Sequence, residues 1–350
     1  MMKKIQFVEN KNINFNNLKN LYKLSLQKNH HTNFGPISLK LEKYIHKKIK
    51  LPKNKIIIAC SSSTSAMLII AKYLKTKNKT KFATSNFTFF SNYIDDLKSS
   101  LVFPTNENCS IDLDIIKKNL NYFDNLIFTN CFNYNYDYEE IYKICKKNKK
   151  NLIIDNATGF YERPKNYNYM DIFETISFHH TKPCGFGEGG IIICNKKHES
   201  SLRNLINYGV KNFKKNHQYG LNAKISDISC AVILLRIKSI DIWSKEYLSQ
   251  RERMLSILNK NFNFKKIFYK KNKTPTNYIS VMFNKPIDFK NIHKSKKITF
   301  NKYYTPLKKN KIFNCEANTI YNHILCIPVH PGLKKISDKE IIKDIQIVTR

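Results

Sequence analysis

The chain has 350 residues, 42% of them hydrophobic, which is enough to fill a sizeable core and excludes a disordered polypeptide. A net charge of +35 points first to nucleic acid, yet all but six of the 61 basic residues are lysines, and proteins that read phosphates and bases favour the arginine fork. The spread of Lys, Asn and Ile along the whole length is instead a compositional bias, with attraction of anionic substrates as a secondary effect, and nucleic acid is not an expected partner.

In chain order, the stretch from Met1 to Asn10 turns polar too early for a signal peptide. No later apolar run approaches the roughly 18 residues of a membrane span, so no membrane partner is expected. From about 55 to 195, short apolar runs alternate with helical ones. Strand 56–60 precedes helix 64–74, and strand 81–84 precedes a helix-like stretch 89–97. Strands at 101–103 and 126–129 lead to helix 138–147, and strands at 151–155, 174–178 and 190–194 complete the set. This alternation predicts a mostly parallel sheet covered on both faces, with ligands beyond the carboxyl ends of its strands. A long amphipathic run, 226–258, leads to a smaller α+β domain with a strand at 278–283. The expected division is 1–245 for the large domain, with the first 25 or so residues packing on the small one, and 246–350 for the small domain. The nine cysteines are scattered and form no CxxC pair, which argues against a disulfide framework and a zinc site; a reducing cytoplasm is the expected location.

Chemistry concentrates at four places. Lys182 lies between the strand ending near Phe178 and the glycine turn Gly187-Glu188-Gly189-Gly190, and Asp155 ends an apolar strand 27 residues earlier. A lysine and a carboxylate at neighbouring strand ends point to pyridoxal 5'-phosphate, whose aldehyde takes a lysine amine as a Schiff base and whose ring nitrogen needs an acidic partner. Taken singly, Lys182 is also consistent with a solvated surface residue, and Asp155 with a helix cap or structural ion pair. The turn Ser61 to Ala66 between strand and helix offers backbone N–H groups to a phosphate, or is an ordinary N-cap. Phe89 offers a flat face to a heterocycle, or is a core residue.

Together these segments resemble the DegT/DnrJ/StrS family of sugar aminotransferases, which are pyridoxal-phosphate enzymes of fold type I, like aspartate aminotransferase. The likeness runs from Thr32-Asn33-Phe34-Gly35-Pro36 with Leu41-Glu42 to Ile327-Pro328-Val329-His330-Pro331-Gly332-Leu333, and its core is Ser177-Phe178-His179-His180-Thr181-Lys182 followed by Gly187 to Gly190. The resemblance implies that Lys182 is the Schiff-base lysine and Asp155 the ring-nitrogen partner. It implies that Ser63, Thr64 and Ser177 hold the cofactor phosphate, that Phe89 stacks on the ring, and that Asn222 reaches the phosphate of a second subunit, hence a homodimer with shared sites. Glu188 and Lys308 fall near the sugar. The chain departs from the family pattern at Ser63 (usually Gly), at Thr158 (usually Gln, near the cofactor), at Asn130 in the usual H-x-Y-G segment, and at Lys308 (usually His).

The activity implied is transfer of an amino group from L-glutamate to a keto group on a nucleotide-linked deoxysugar, feeding a surface polysaccharide such as lipopolysaccharide. A lysine at position 182 argues against the deoxygenating branch of the family, which carries histidine there. Two other readings remain: a non-catalytic descendant that keeps the fold as a binding protein, and, less favoured, a basic nucleic-acid binder.

Overall fold

The computed structural model describes residues 4–210, 220–307 and 315–350. In chain order its elements are α1 (Phe15–Gln27), α2 (Pro36–Lys48), β1 (Lys55–Cys60), α3 (Ser63–Lys75), β2 (Phe82–Ser85), β3 (Leu101–Phe103), α4 (Leu113–Lys118), β4 (Asn125–Thr129), α5 (Glu139–Lys147), β5 (Asn151–Asp155), β6 (Phe173–Ser177), β7 (Gly190–Asn195) and α6 (Glu199–Ile206). Next come α7 (Asp227–Lys238), α8 (Ile240–Asn261), β8 (Phe264–Phe268), β9 (Tyr278–Phe283), α9 (Phe289–His293), α10 (Cys315–His323), β10 (Ile324–Pro328) and α11 (Asp338–Thr349).

Seven strands form one sheet in the order β1-β7-β6-β5-β4-β2-β3, and every pairing is parallel except the two made by β7. The expected mostly parallel α/β sheet of fold type I is therefore present. Successive side chains leave a strand on opposite faces, and here both faces are apolar. Ile57, Leu126, Leu152, Ile154, Ile191 and Ile193 enter one core. Ile58, Ile127, Ile153, Ile192 and Cys194 enter the other, beneath α3 and α6. Covered on both sides, the strands lose the polar alternation of a half-exposed sheet.

Two buried carboxylates anchor the helices around this sheet. Asp227, at the start of α7, accepts from the N–H groups of Ile37 and Ser38, both at 2.9 Å, and from the Ser25 hydroxyl at 2.7 Å, tying α1, α2 and α7 together. Glu42 of α2 accepts from the Ala59 N–H at 2.9 Å and pairs with Arg203 of α6 at 2.8 Å.

The second sheet, β10-β9-β8, is antiparallel and carries its own core with α8 and α11. Position 245 lies inside α8. Ile5 forms a bridge with Ile298 and is buried in the core of this second sheet. Cys60, Cys109, Cys131, Cys145, Cys184, Cys194, Cys230 and Cys326 are all buried and free. Among the described residues, no helix is long and apolar enough to cross a membrane.

Two segments depart from the expected elements. The run 226–258 is two helices broken at Ser239, which ends α7 and precedes α8. The stretch 89–97 is two short 3-10 turns rather than a helix, with Asp95 in the left-handed region at φ 44°. Its local sequence suits a helix, but tertiary bonds decide: Asn92 turns inward to Asp155, and Asp96 pairs with Lys72 at 2.6 Å and Lys75 at 2.5 Å on α3.

Candidate active site

The site is built at the carboxyl ends of the parallel strands. Between β1 and α3, Ser62 is the N-cap: its hydroxyl accepts from the Ser65 N–H at 3.0 Å, and the Ser65 hydroxyl accepts from the Ser62 N–H at 3.0 Å. The capping alternative therefore holds for Ser62. Ser63 and Thr64, the first two helical residues, stand outside that box, and N–H groups at a helix start, together with the helix dipole, are suited to an anion. The Ser63 hydroxyl donates to Thr175 of β6 at 3.2 Å, which ties the turn to the centre of the sheet. Gly190 permits this approach, because a Cβ there would lie 2.4 Å from the Ser62 carbonyl carbon and the Ser63 nitrogen. The side chain at 63 is accommodated, so this departure from the family pattern leaves the turn intact.

Asp155 ends β5, in register with Thr129 on one side and Thr175 on the other, and is buried. One carboxylate oxygen accepts from the Ala157 N–H at 3.1 Å, and the other accepts from the Asn92 side-chain amide. Burial pushes this carboxyl up, while Asn92, the Ala157 N–H and the charge of Lys182 act to lower it. Lys182 follows β6 in a loop whose turn closes through its own N–H, donated to the His179 carbonyl at 2.8 Å. Burial pushes its amine down, and the Asp155 carboxylate opposes that. The opposed shifts mark two ionisable groups whose protonation depends on one another, as functional sites commonly arrange them.

Both groups line one cavity of about 460 Å³, together with Ser63, Thr64, Phe89 and Ser177. The structure thus brings together the anion turn, the aromatic ring, the carboxylate and the lysine that the sequence singled out. Glu188 also borders this cavity; it is exposed and lies 3.4 Å from His179 Nε2. Thr158 is not among the residues lining it: among the described residues its buried hydroxyl has no hydrogen-bond partner, and it lies in a small recess beside Lys182, Phe132 and Asn277. Asn130 is buried and serves the fold, donating to Asn156 at 2.8 Å and accepting from the Asn135 N–H at 2.8 Å. Asn222 is exposed, away from this cavity, and forms a bridge with Asn207. Lys308 lies outside the described residues.

Sequence reasoning missed Asn92, Tyr303 and Tyr304. Asn92 contacts Asp155, Thr88 and Thr129 at once, and nothing in a segment that resembles a helix signals an inward asparagine. Tyr303 and Tyr304 come from the segment after α9; Tyr304 has φ 63° and stands edge-on to Phe89 at 6.5 Å. The aromatic doublet was visible in the chain, but its place at the cavity depends on tertiary packing.

These residues fit pyridoxal phosphate. A helix N-terminus with hydroxyls suits its phosphate, a buried carboxylate its ring nitrogen, and a buried amine its aldehyde. The fold matches Helicobacter pylori PseC, an aminotransferase involved in the biosynthesis of pseudoaminic acid, with a TM-score of 0.81 over 99% of each chain at 16% identity. It also matches DesI, solved in the presence of its TDP-sugar product, with a TM-score of 0.82 over 100% of this chain and 93% of that one at 15% identity. A UDP-4-amino-4,6-dideoxy-N-acetyl-beta-L-altrosamine transaminase of Campylobacter jejuni is 30% identical over 133 residues, covering 35% of this chain and 34% of the relative. The matched stretches span between 23% and 34% of the curated relatives' length. The profile of one family covers residues 14–346, nearly the whole chain. The lysine, the carboxylate and the start of α3 share one cavity, and the chain belongs to the DegT/DnrJ/EryC1/StrS aminotransferase family, whose members depend on pyridoxal phosphate.

Proposed function

We propose that this protein transfers an amino group from L-glutamate to a keto group of a nucleotide-linked deoxysugar. The observation that carries this reading is the shared cavity of Lys182 and Asp155 beside the N-terminus of α3. Pyridoxal phosphate, when bound, supplies an aldehyde and an electron-withdrawing ring. Lys182 would hold the cofactor through its amine and, when that amine is free, would carry a proton to and from the substrate carbon. Burial lowers the proton affinity of its amine, which is the direction a proton carrier near neutral pH requires. Asp155 would keep the ring nitrogen protonated, and its burial beside an amide donor shields the carboxylate from solvent.

A nucleotide-sugar acceptor is supported by family membership and by the named activities of the relatives, and the excess of lysine favours an anionic substrate. A homodimer with shared sites is part of the same proposal, with exposed Asn222 completing the partner's phosphate site, in a cytoplasmic enzyme supplying surface glycans. The purified protein should absorb visible light, shift on addition of glutamate, and lose the band in Lys182→Ala. Mass spectrometry of products from a panel of nucleotide keto-sugars identifies the acceptor. A colourless protein that cannot be reconstituted with cofactor would overturn the proposal in favour of a binding protein, and a monomer by light scattering would overturn the shared site.

A further inference from the structure

The loop that carries Lys182 is held from behind by a residue far away in the chain. The Nζ of Lys11 lies 2.5 Å from the His180 carbonyl, 2.5 Å from the Lys182 carbonyl and 2.7 Å from the Gly185 carbonyl. A lysine ammonium has three donors and no acceptor, so all three are spent on one loop. A fourth carbonyl of the same loop, that of Pro183, accepts from Arg236 Nε of α7 at 3.0 Å. Arg236 in turn pairs with Glu9 at 2.8 Å, and Glu9 also accepts from the Tyr247 hydroxyl of α8 at 2.7 Å. Residues 9 and 11 thus bring two charges of one short segment to the back of the lysine loop.

We propose that Lys11 is a positioning residue for Lys182: its ammonium gathers the carbonyls of residues 180, 182 and 185 and so fixes where the Lys182 side chain leaves the backbone. This rests on the proposed role of Lys182. The carbonyl of Lys182 itself accepts twice, from Lys11 and from the Gly185 N–H at 2.9 Å, so the residue is pinned at its main chain while its amine faces the cavity. Placing an ammonium there is costly, since burial pushes Lys11 down to about 7 and Arg236 adds to the drop, with Glu9 and Cys184 opposing. A residue needed only to fill space would not gather three carbonyls of one loop around a single amine.

The same segment is fastened to the second domain a few residues earlier. The Ile5 N–H donates to the Lys297 carbonyl at 2.8 Å, the Thr299 N–H donates to the Ile5 carbonyl at 2.8 Å, and His330 Nε2 lies 2.8 Å from the Gln6 carbonyl. The segment from Ile5 to Lys11 therefore runs from one domain to the catalytic loop of the other. Lys11 is the point where it grips that loop.

The test compares wild type with Lys11→Met and Lys11→Arg. Amide exchange in peptides covering 178–189 is measured by mass spectrometry on cofactor-free protein, with a β4 peptide as an internal reference. Lys11→Met should speed exchange in 178–189 about tenfold or more and leave β4 unchanged, and Lys11→Arg, which keeps a charge and several donors, should recover part of the protection. In the glutamate half-reaction, Lys11→Met should lower kcat about tenfold or more with KM within about threefold, because misplacing a reacting group costs rate rather than binding. Unchanged exchange at 178–189 in Lys11→Met, or equal damage in both variants with β4 exchange raised as well, would overturn the proposal. If the wild type shows no glutamate reaction, the functional reading fails, while the exchange measurement still decides whether Lys11 holds the loop.

Discussion

Asn92 donates its side-chain amide to Oδ2 of Asp155, and the two residues come from segments 63 positions apart. The bond is charge-assisted and buried, so it is of the stronger kind, and it acts against the upward push of burial on this carboxyl. Replacing Asn92 by Ala should move the Asp155 carboxyl further up and leave a smaller ionised fraction to serve the ring nitrogen. The expected outcome is a fall in kcat of about tenfold and a shift of the acid limb of the pH–rate profile to higher pH, with a stability loss of about 1–3 kcal/mol. An unchanged acid limb in that variant would remove Asn92 from the site.

Lys182 and Asp155 should fail in different ways. Lys182→Ala removes the covalent hold and the proton carrier together, so both the visible band and turnover should vanish. Asp155→Ala leaves the phosphate turn at Ser63 and Thr64 and the lysine in place, so cofactor binding should persist in part while turnover falls about 10²-fold or more. Absorbance after dialysis, set beside the single-turnover rate with glutamate, separates the two. Near-normal turnover in Asp155→Ala would count against its role.

The strands of the seven-stranded sheet were legible because their apolar runs are short and bounded by turns, and each of the seven lies within a residue or so of its expected position. Lys182, Asp155, Ser63, Thr64, Phe89 and Ser177 were legible through their order along the chain, and one cavity gathers them. Asn92 was hidden because its inward turn is enforced from outside its segment, by Asp155, Lys72 and Lys75, against a local sequence that suits a helix. Lys11 was hidden for a related reason. One lysine among so many carries no signal until the fold sets three carbonyls around it.

Acid should loosen the strand edge near Asp171. This carboxylate precedes β6 and meets His198, at 3.1 Å, and Lys197, both from the turn after β7. Burial acts to raise it, but the hydrogen bonds and charges of His198 and Lys197 outweigh that and hold it at about 2. A carboxyl depressed in the folded state stabilises above its unfolded pKa of about 4, and the benefit is lost as pH falls through about 2. Asp171→Asn should therefore melt lower than wild type at pH 7, by the equivalent of less than about 1 kcal/mol for a pair this exposed, with the gap closing between about pH 4 and pH 2. A gap independent of pH would show that the charge is not what matters.

Gly190→Ala tests whether the proposed phosphate turn at Ser63 and Thr64 depends on contact with β7. An added methyl would sit 2.4 Å from main-chain atoms of Ser62 and Ser63, which cannot swing aside as a side chain can. Either β7 or the start of α3 must move. β7 is held on both sides, by β1 from Lys55 to Cys60 and by β6 from Glu174 to Ser177, so the turn is the part that yields. Its displacement would spread the N–H groups of Ser63 and Thr64 and break the Ser63 hydroxyl's bond to Thr175, weakening the anion site while the lysine and carboxylate stay in place. The expected result is about tenfold or greater loss of affinity for pyridoxal phosphate, measured by titrating cofactor-free protein, with a smaller loss for pyridoxal, which lacks the phosphate. Equal losses for the two ligands would place the damage elsewhere in the cavity.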